Sequence, residues 1–142
     1  MSIEVTRHIE FEAAHMLYKY DGPCKNLHGH SYKLEVTIKG TPNEQYGFVM
    51  DFKELNAIMK EIVPDHMFIS NKTLPDNSTE RQIVKILKKA DMAIMEYDFV
   101  PSAENMVSNF AKEIQERLPE GLIVTRACLW ETTNSFATWN KE

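Results

Sequence analysis

The segment Cys24-Lys25-Asn26-Leu27-His28-Gly29-His30 concentrates the side chains of this sequence best suited to chemistry. His28 and His30 are two residues apart, so in an extended chain both imidazoles leave the same face of a sheet and can share one ion. Gly29 between them removes side-chain bulk from the other face. A third histidine, His15, ends a neighbouring strand candidate. Three neutral imidazoles with no fourth protein ligand describe a catalytic zinc site, with an open position for water or a substrate oxygen. Taken alone, a pair at this spacing is more often a surface or turn feature than a metal site, and it is His15 with the nearby cysteine that brings the metal reading level with that one. Cys24 follows a turn and precedes the histidines. A nearby divalent cation would favour its thiolate, as a general base or as a fourth ligand. Cys128 lies inside a strand pattern and reads as a small buried apolar residue.

These residues need a frame. Ile3, Val5, Ile9 and Phe11 alternate with polar residues, as in a half-buried strand whose apolar face Arg7 interrupts. After the turn signal Asp21-Gly22-Pro23, Tyr32, Leu34, Val36 and Ile38 alternate with polar partners up to Gly40, the clearest strand of the chain. Asp51 with Glu54 three residues on reads as a helix start, followed by Leu55, Ile58, Met59 and Ile62 and closed by Pro64. A second helix begins near Ser102 with Met106, Val107, Phe110, Ala111, Ile114 and Leu118 on one face. Leu122 to Trp130 and Phe136 to Trp139 read as a final strand pair. The order is ββααββ. Within the less regular stretch from Asn71 to Val100, Thr79 to Lys89 suits an extra short helix and Met92 to Phe99 an extended segment.

The chain has 142 residues, 43% of them hydrophobic, and no repeat or linker, so residues 1–142 are expected to form one domain. Sixteen basic residues against 21 acidic ones give a formal net charge of -5. That balance argues against nucleic acid or an anionic membrane as partner, but leaves room for a small anionic substrate met by local groups. Two cysteines do not make a disulfide scaffold, and no apolar run suits a membrane span or signal region; a cytoplasmic location is expected.

With these motifs assembled, the sequence resembles the family of 6-pyruvoyl- and 6-carboxytetrahydropterin synthases along nearly its whole length. The matching pieces are Phe11 to His15, Cys24 to Tyr32, Gly47 to Phe52, Asp65-His66, Pro101 to Asn105 and Glu131-Thr132. Three residues separate Cys24 from His28, a spacing similar to the carboxy-type enzymes of the queuosine (7-deazapurine) pathway. The resemblance implies an α+β tunnelling fold (T-fold): an antiparallel four-stranded sheet with two helices packed on one side, joined into an oligomeric barrel of a trimer or a dimer of trimers. Closing a barrel would also remove exposed sheet edges. It implies Zn2+ on His15, His28 and His30, a pterin triphosphate as substrate, and a lyase reaction that releases triphosphate and acetaldehyde. Cys24 would be one base, Asp65 with His66 the second acid/base element, and Glu131 the acceptor for the pterin's ring N–H and amino group. Read without the family, Asp65-His66 is a helix-end histidine beside a capping acid. Glu104 reads as a first-turn acid outside the core site, and Lys25 is a triphosphate candidate by position. The rival readings are a pyruvoyl-type lyase, an epimerase or aldolase on the same pterin, and a non-catalytic zinc-stabilised oligomeric module. The sequence departs from the family after the dyad, where Phe68 to Asn71 leads into the segment up to Pro101.

Overall fold

The computed structural model describes residues 1–142. Its two longest strands, β1 (Ile3–His15) and β2 (His28–Gly40), form an antiparallel ladder whose register runs from Ile3 opposite Gly40 to His15 opposite His28. Period-two alternation sends Ile9, Phe11, Ala13, Tyr32, Leu34, Val36 and Ile38 to one face, where all are buried. Glu4, His8, Glu10, Glu12, Ser31 and Lys33 line the other face, and most of these are exposed. Arg7 interrupts the apolar stripe as its sequence position suggests, and its guanidinium donates to Asn56 Oδ1 at 3.0 Å.

Three helices accompany the sheet. α1 (Phe52–Ile62) starts where Asp51 accepts from the Lys53 N–H at 2.8 Å, and it buries Leu55, Met59 and Ile62. α3 (Ala103–Arg117) is capped by Ser102 and buries Met106, Val107, Phe110, Ala111 and Ile114 against β5 (Ile123–Thr132) and β6 (Ser135–Asn140). β5 joins β2 antiparallel through pairs such as Leu34 with Leu129, and β6 returns along β5. This part is the expected four-stranded antiparallel sheet with two helices.

The structure adds to that expectation. β3 (Met67–Asn71), α2 (Thr79–Lys89) and β4 (Ile94–Tyr97) form a parallel extension, giving a six-stranded mixed sheet of order β4-β3-β1-β2-β5-β6. The α+β class stands, with six strands in place of four and three helices in place of two. The helix matches the span read from the sequence, and β4 falls within the extended segment. β3 was not foreseen, because its residues after Met67 are buried on both faces and show no alternation. β3 pairs with β1 only at Ala13 and Ala14, so most of β1 and all of β6 present unpaired edges. No helix is long and apolar enough to cross a membrane.

Candidate metal centre

The apolar stripe of β2 does not end at Tyr32. It continues in the same period as His30 and His28, so the histidines close one end of the core. His15, directly opposite His28, completes the cluster, and the ligand atoms of all three lie within 4.8 Å of one another. The imidazole centroids are 4.6 Å apart for His15 and His28, 5.2 Å for His15 and His30, and 5.0 Å for His28 and His30.

Backbone carbonyls orient two of the rings. His15 Nδ1 donates to the Pro101 carbonyl at 2.8 Å, and His28 Nδ1 donates to the Asn26 carbonyl at 2.7 Å. A carbonyl can only accept, so Nδ1 carries the proton and Nε2 keeps its lone pair. Both Nε2 atoms are buried without a hydrogen-bond partner. Buried polar nitrogens are normally satisfied. Two orphaned lone pairs in a tripod of imidazoles fit a divalent metal, and the carbonyls supply the outer support that ligating histidines generally have. Burial lowers the His15 pKa to about 4, against a smaller opposing effect of the Pro101 carbonyl. His30 is lowered in the same direction, mainly by burial, with the Glu131 carboxylate opposing. Neutral rings are the form a metal requires.

Sequence reasoning did not single out Pro101 and Asn26 as orienting residues. The segment Pro101 to Asn105 matches the family, but a carbonyl's role leaves no mark on residue type.

Glu131 sits at a break in the β5–β6 register. Trp130 pairs with Phe136 and Thr132 with Ser135, leaving Glu131 as the extra residue of a bulge. Such bulges re-aim a side chain. Its Oε2 lies 3.2 Å from His30 Nε2 and 3.7 Å from His15 Nε2, so the carboxylate joins the histidine cluster. Tyr32, fully buried and stacked on Phe11, forms the floor below His30, and burial raises its phenol pKa. Cys24 lies on the single 3-10 turn Pro23–Lys25 and is half-buried, its carbonyl accepting from the Leu17 N–H at 2.9 Å. The gathered ligand set comprises the three histidines without its sulfur.

Asp65 and His66 form a pair, Nδ1 to Oδ1 at 2.9 Å. The pair is not at a helix end, since Val63 and Pro64 intervene after α1. His66 adopts φ 57°, the left-handed region, which costs a non-glycine residue on the order of 1 kcal/mol or more. Contacts to β1 hold it there: the Glu12 N–H donates to Asp65 Oδ1 at 2.9 Å, and the His66 N–H donates to the Glu12 carbonyl at 2.6 Å. The dyad thus lies at the β1 edge beside an open cleft of about 500 Å³ lined by Glu12, Gly29, His30, Ser31 and His66. Within one chain no hydrogen bond or ion pair joins the dyad to the histidine cluster.

A largely buried histidine tripod whose geometry could hold a metal, at the end of a core covered by helices on a curled mixed sheet, places the protein in the α+β T-fold class. Comparison with known proteins gives the family. The sequence family described as 6-pyruvoyl tetrahydropterin synthase matches residues 4–142. Among relatives, the 6-carboxy-5,6,7,8-tetrahydropterin synthase of Haemophilus influenzae is 34% identical over 97% of this chain and 99% of its own length. The protein of that name from Aquifex aeolicus is 30% identical, with both chains fully covered. Among solved structures, an uncharacterized protein from Wolinella succinogenes superposes with a TM-score of 0.76 at 20% identity, covering 100% of this chain and 99% of its own. The 6-pyruvoyl tetrahydropterin synthase of Caenorhabditis elegans gives 0.70 at 21%, covering 100% and 97%. The chain belongs to the 6-pyruvoyl tetrahydropterin synthase family.

Proposed function

We propose that this chain is a cytoplasmic, zinc-dependent 6-carboxy-5,6,7,8-tetrahydropterin synthase. In this reading it converts 7,8-dihydroneopterin triphosphate to 6-carboxytetrahydropterin, acetaldehyde and triphosphate on the route to queuosine and other 7-deazapurines. The observation that carries the reading is the histidine tripod with its two orphaned Nε2 atoms, in a chain whose full-length relatives bear that enzyme name. The chemistry supplied by a zinc ion on His15, His28 and His30 is Lewis-acid polarisation of the substrate's side-chain hydroxyls.

The chain's own residues do the rest. Cys24, on the loop that leads into the tripod, removes a carbon-bound proton as thiolate. The Asp65 carboxylate receives the His66 Nδ1–H and so leaves His66 Nε2 free to take or return a proton. Glu131 accepts two N–H groups from the guanidine-like edge of the pterin. The unpaired edges of β1 and β6 favour a ring of copies, a trimer or a dimer of trimers, in which sheets join edge to edge. Such a ring also gives an exposed dyad at the β1 edge a neighbouring subunit to serve.

One observation favours a second role for Glu131. Its 3.2 Å approach to His30 Nε2 suits a fourth metal donor as well as a substrate anchor.

The deciding experiment incubates the zinc-loaded protein with 7,8-dihydroneopterin triphosphate and identifies the products. Carboxytetrahydropterin with acetaldehyde is expected. Accumulation of pyruvoyltetrahydropterin would transfer the protein to the pyruvoyl branch, and no turnover with zinc-dependent folding would make it a binding module.

A further inference from the structure

Two open volumes adjoin the histidine cluster, and their charges differ. The first is the dyad's cleft, where the Glu12 carboxylate accepts from Ser31 Oγ at 2.7 Å. The second, about 470 Å³, lies between the 16–27 loop and the first turn of α2. Met16, Lys19, Lys25, Asn26 and Thr79 are among its lining residues. It reaches the tripod at two points. Met16 follows His15 in the chain, and Asn26 is the residue whose carbonyl orients His28.

The lysines of this second cavity have no carboxylate partner. Lys88 pairs with Glu96, whereas neither Lys19 nor Lys25 takes part in any ion pair. The Lys19 ammonium stands 5.3 Å from the centroid of the Tyr18 ring, which leaves its donors open. Glu80, the one acid in the lining, is 2% exposed and turned into the sheet, where its Oε2 accepts from Ser70 Oγ at 2.8 Å and the Asn71 N–H at 2.7 Å. In a chain of net charge -5, two unpaired cations on one wall beside the candidate metal centre mark a place for an anion.

The substrate chemistry orders the rest. In a dihydroneopterin triphosphate, the phosphates begin one carbon beyond the side-chain hydroxyls, so they must lie next to whatever holds those hydroxyls. The dyad's cleft presents a carboxylate, which repels them. The cavities lined by Thr6 to His8 and by Ile3 and Val5 lie toward the other end of β1. At about 3.3 Å per residue they are too distant. We propose that the cavity between the 16–27 loop and α2 seats the substrate's triphosphate, with Lys19 and Lys25 as its binding cations. This rests on the functional reading above. It also gives the β3–α2–β4 extension a role, because its helix supplies the far wall.

The test uses inorganic tripolyphosphate as probe, by calorimetry on the zinc-loaded protein, alongside steady-state kinetics with the pterin triphosphate. The Lys19→Ala/Lys25→Ala double variant is expected to weaken tripolyphosphate binding at least about tenfold and to raise KM by a similar factor. The Lys→Arg pair should bind within a few-fold of wild type. Lys85→Ala/Lys89→Ala, the same charge change elsewhere on exposed α2 positions, should bind as wild type does, with thermal melts confirming folding of every variant. Tripolyphosphate affinity unchanged in the Lys19/Lys25 variant, equal loss in the Lys85/Lys89 control, or no binding to wild type would overturn the proposal. Because calorimetry needs no turnover, a wild type that binds tripolyphosphate at these lysines yet fails to convert the pterin would sink the functional reading alone.

Discussion

His15 and His28 face each other across the β1–β2 ladder, ring centroids 4.6 Å apart, and each turns its Nδ1 outward onto a backbone carbonyl while its Nε2 stays buried and unpaired. The two carbonyls select the same tautomer in both rings, so the pair is prepared for a metal before any ion arrives. His15→Ala or His28→Ala should therefore reduce zinc affinity by more than the roughly 10–100-fold that outer-shell changes cost. Metal analysis after gel filtration would measure this. Chelation should lower the wild-type melting temperature and leave that of the variants nearly unchanged.

The metal-free protein should lose stability in acid through these same rings. His15 has a folded pKa of about 4 against about 6.5 unfolded, so between those values the unfolded chain binds more protons. The contribution of His15 thus falls as pH drops from about 6.5 toward 4, and His30 adds to it in the same sense. Calorimetric melts of the chelated protein across this window would show the slope. His15→Gln should flatten it.

The parts of this fold that the sequence made legible are those with a period. Tyr32 to Ile38 alternate because one face meets α1 and α3 and the other does not, and the same alternation carries His30 and His28 onto the metal face. β3 was illegible because Phe68 and Ile69, on opposite faces, are both buried, which erases the period. The dyad was legible as residues but not as geometry. Its left-handed backbone and its bonds to Glu12 join positions 53 residues apart, a tertiary fact with no local signature. The small size of Gly29 has a tertiary cause as well, since a Cβ there would meet the Ala13 carbonyl of the paired strand at 3.1 Å.

Glu131 offers a clean separation of its two roles. Glu131→Gln keeps size while removing charge and one acceptor. As substrate anchor, the residue's loss should raise KM by about tenfold or more, with zinc content unchanged, because one charge-assisted bidentate contact is gone. If Glu131 is instead a metal donor, zinc content should fall before KM is affected. Parallel metal analysis and kinetics on the same preparation read both outcomes.

Asp65 contributes through a single oxygen that accepts from both His66 Nδ1 and the Glu12 N–H. Asp65→Asn removes the charge and should lower kcat by about 10²–10⁴-fold, the usual share of general acid/base catalysis, as should His66→Ala and Cys24→Ala. Zinc binding should survive all three, since none of these residues belongs to the histidine set. Full turnover by Cys24→Ala and His66→Ala would remove both from the mechanism.

The β3–α2–β4 extension is held by ions as well as by packing, and this makes its stability depend on pH with a definite sign. Arg81 donates to Glu96 Oε1 at 2.8 Å, and Lys88 Nζ lies 3.2 Å from the same oxygen. The Arg81 hydrogen bond is the largest influence holding the Glu96 carboxyl below the usual carboxylate range. A carboxyl lowered by folding contributes stability that is present above its unfolded value of 4.5 and is lost as pH falls through the folded one. Glu96→Gln should therefore cost about 1–2 kcal/mol at pH 7, in keeping with a hydrogen bond to a charged group. The gap from wild type should close in urea unfolding as pH falls below 4.5 and through the lowered folded value, where Glu96 itself becomes neutral. A gap that persisted undiminished into strong acid would show that the residue acts through packing and not through its charge.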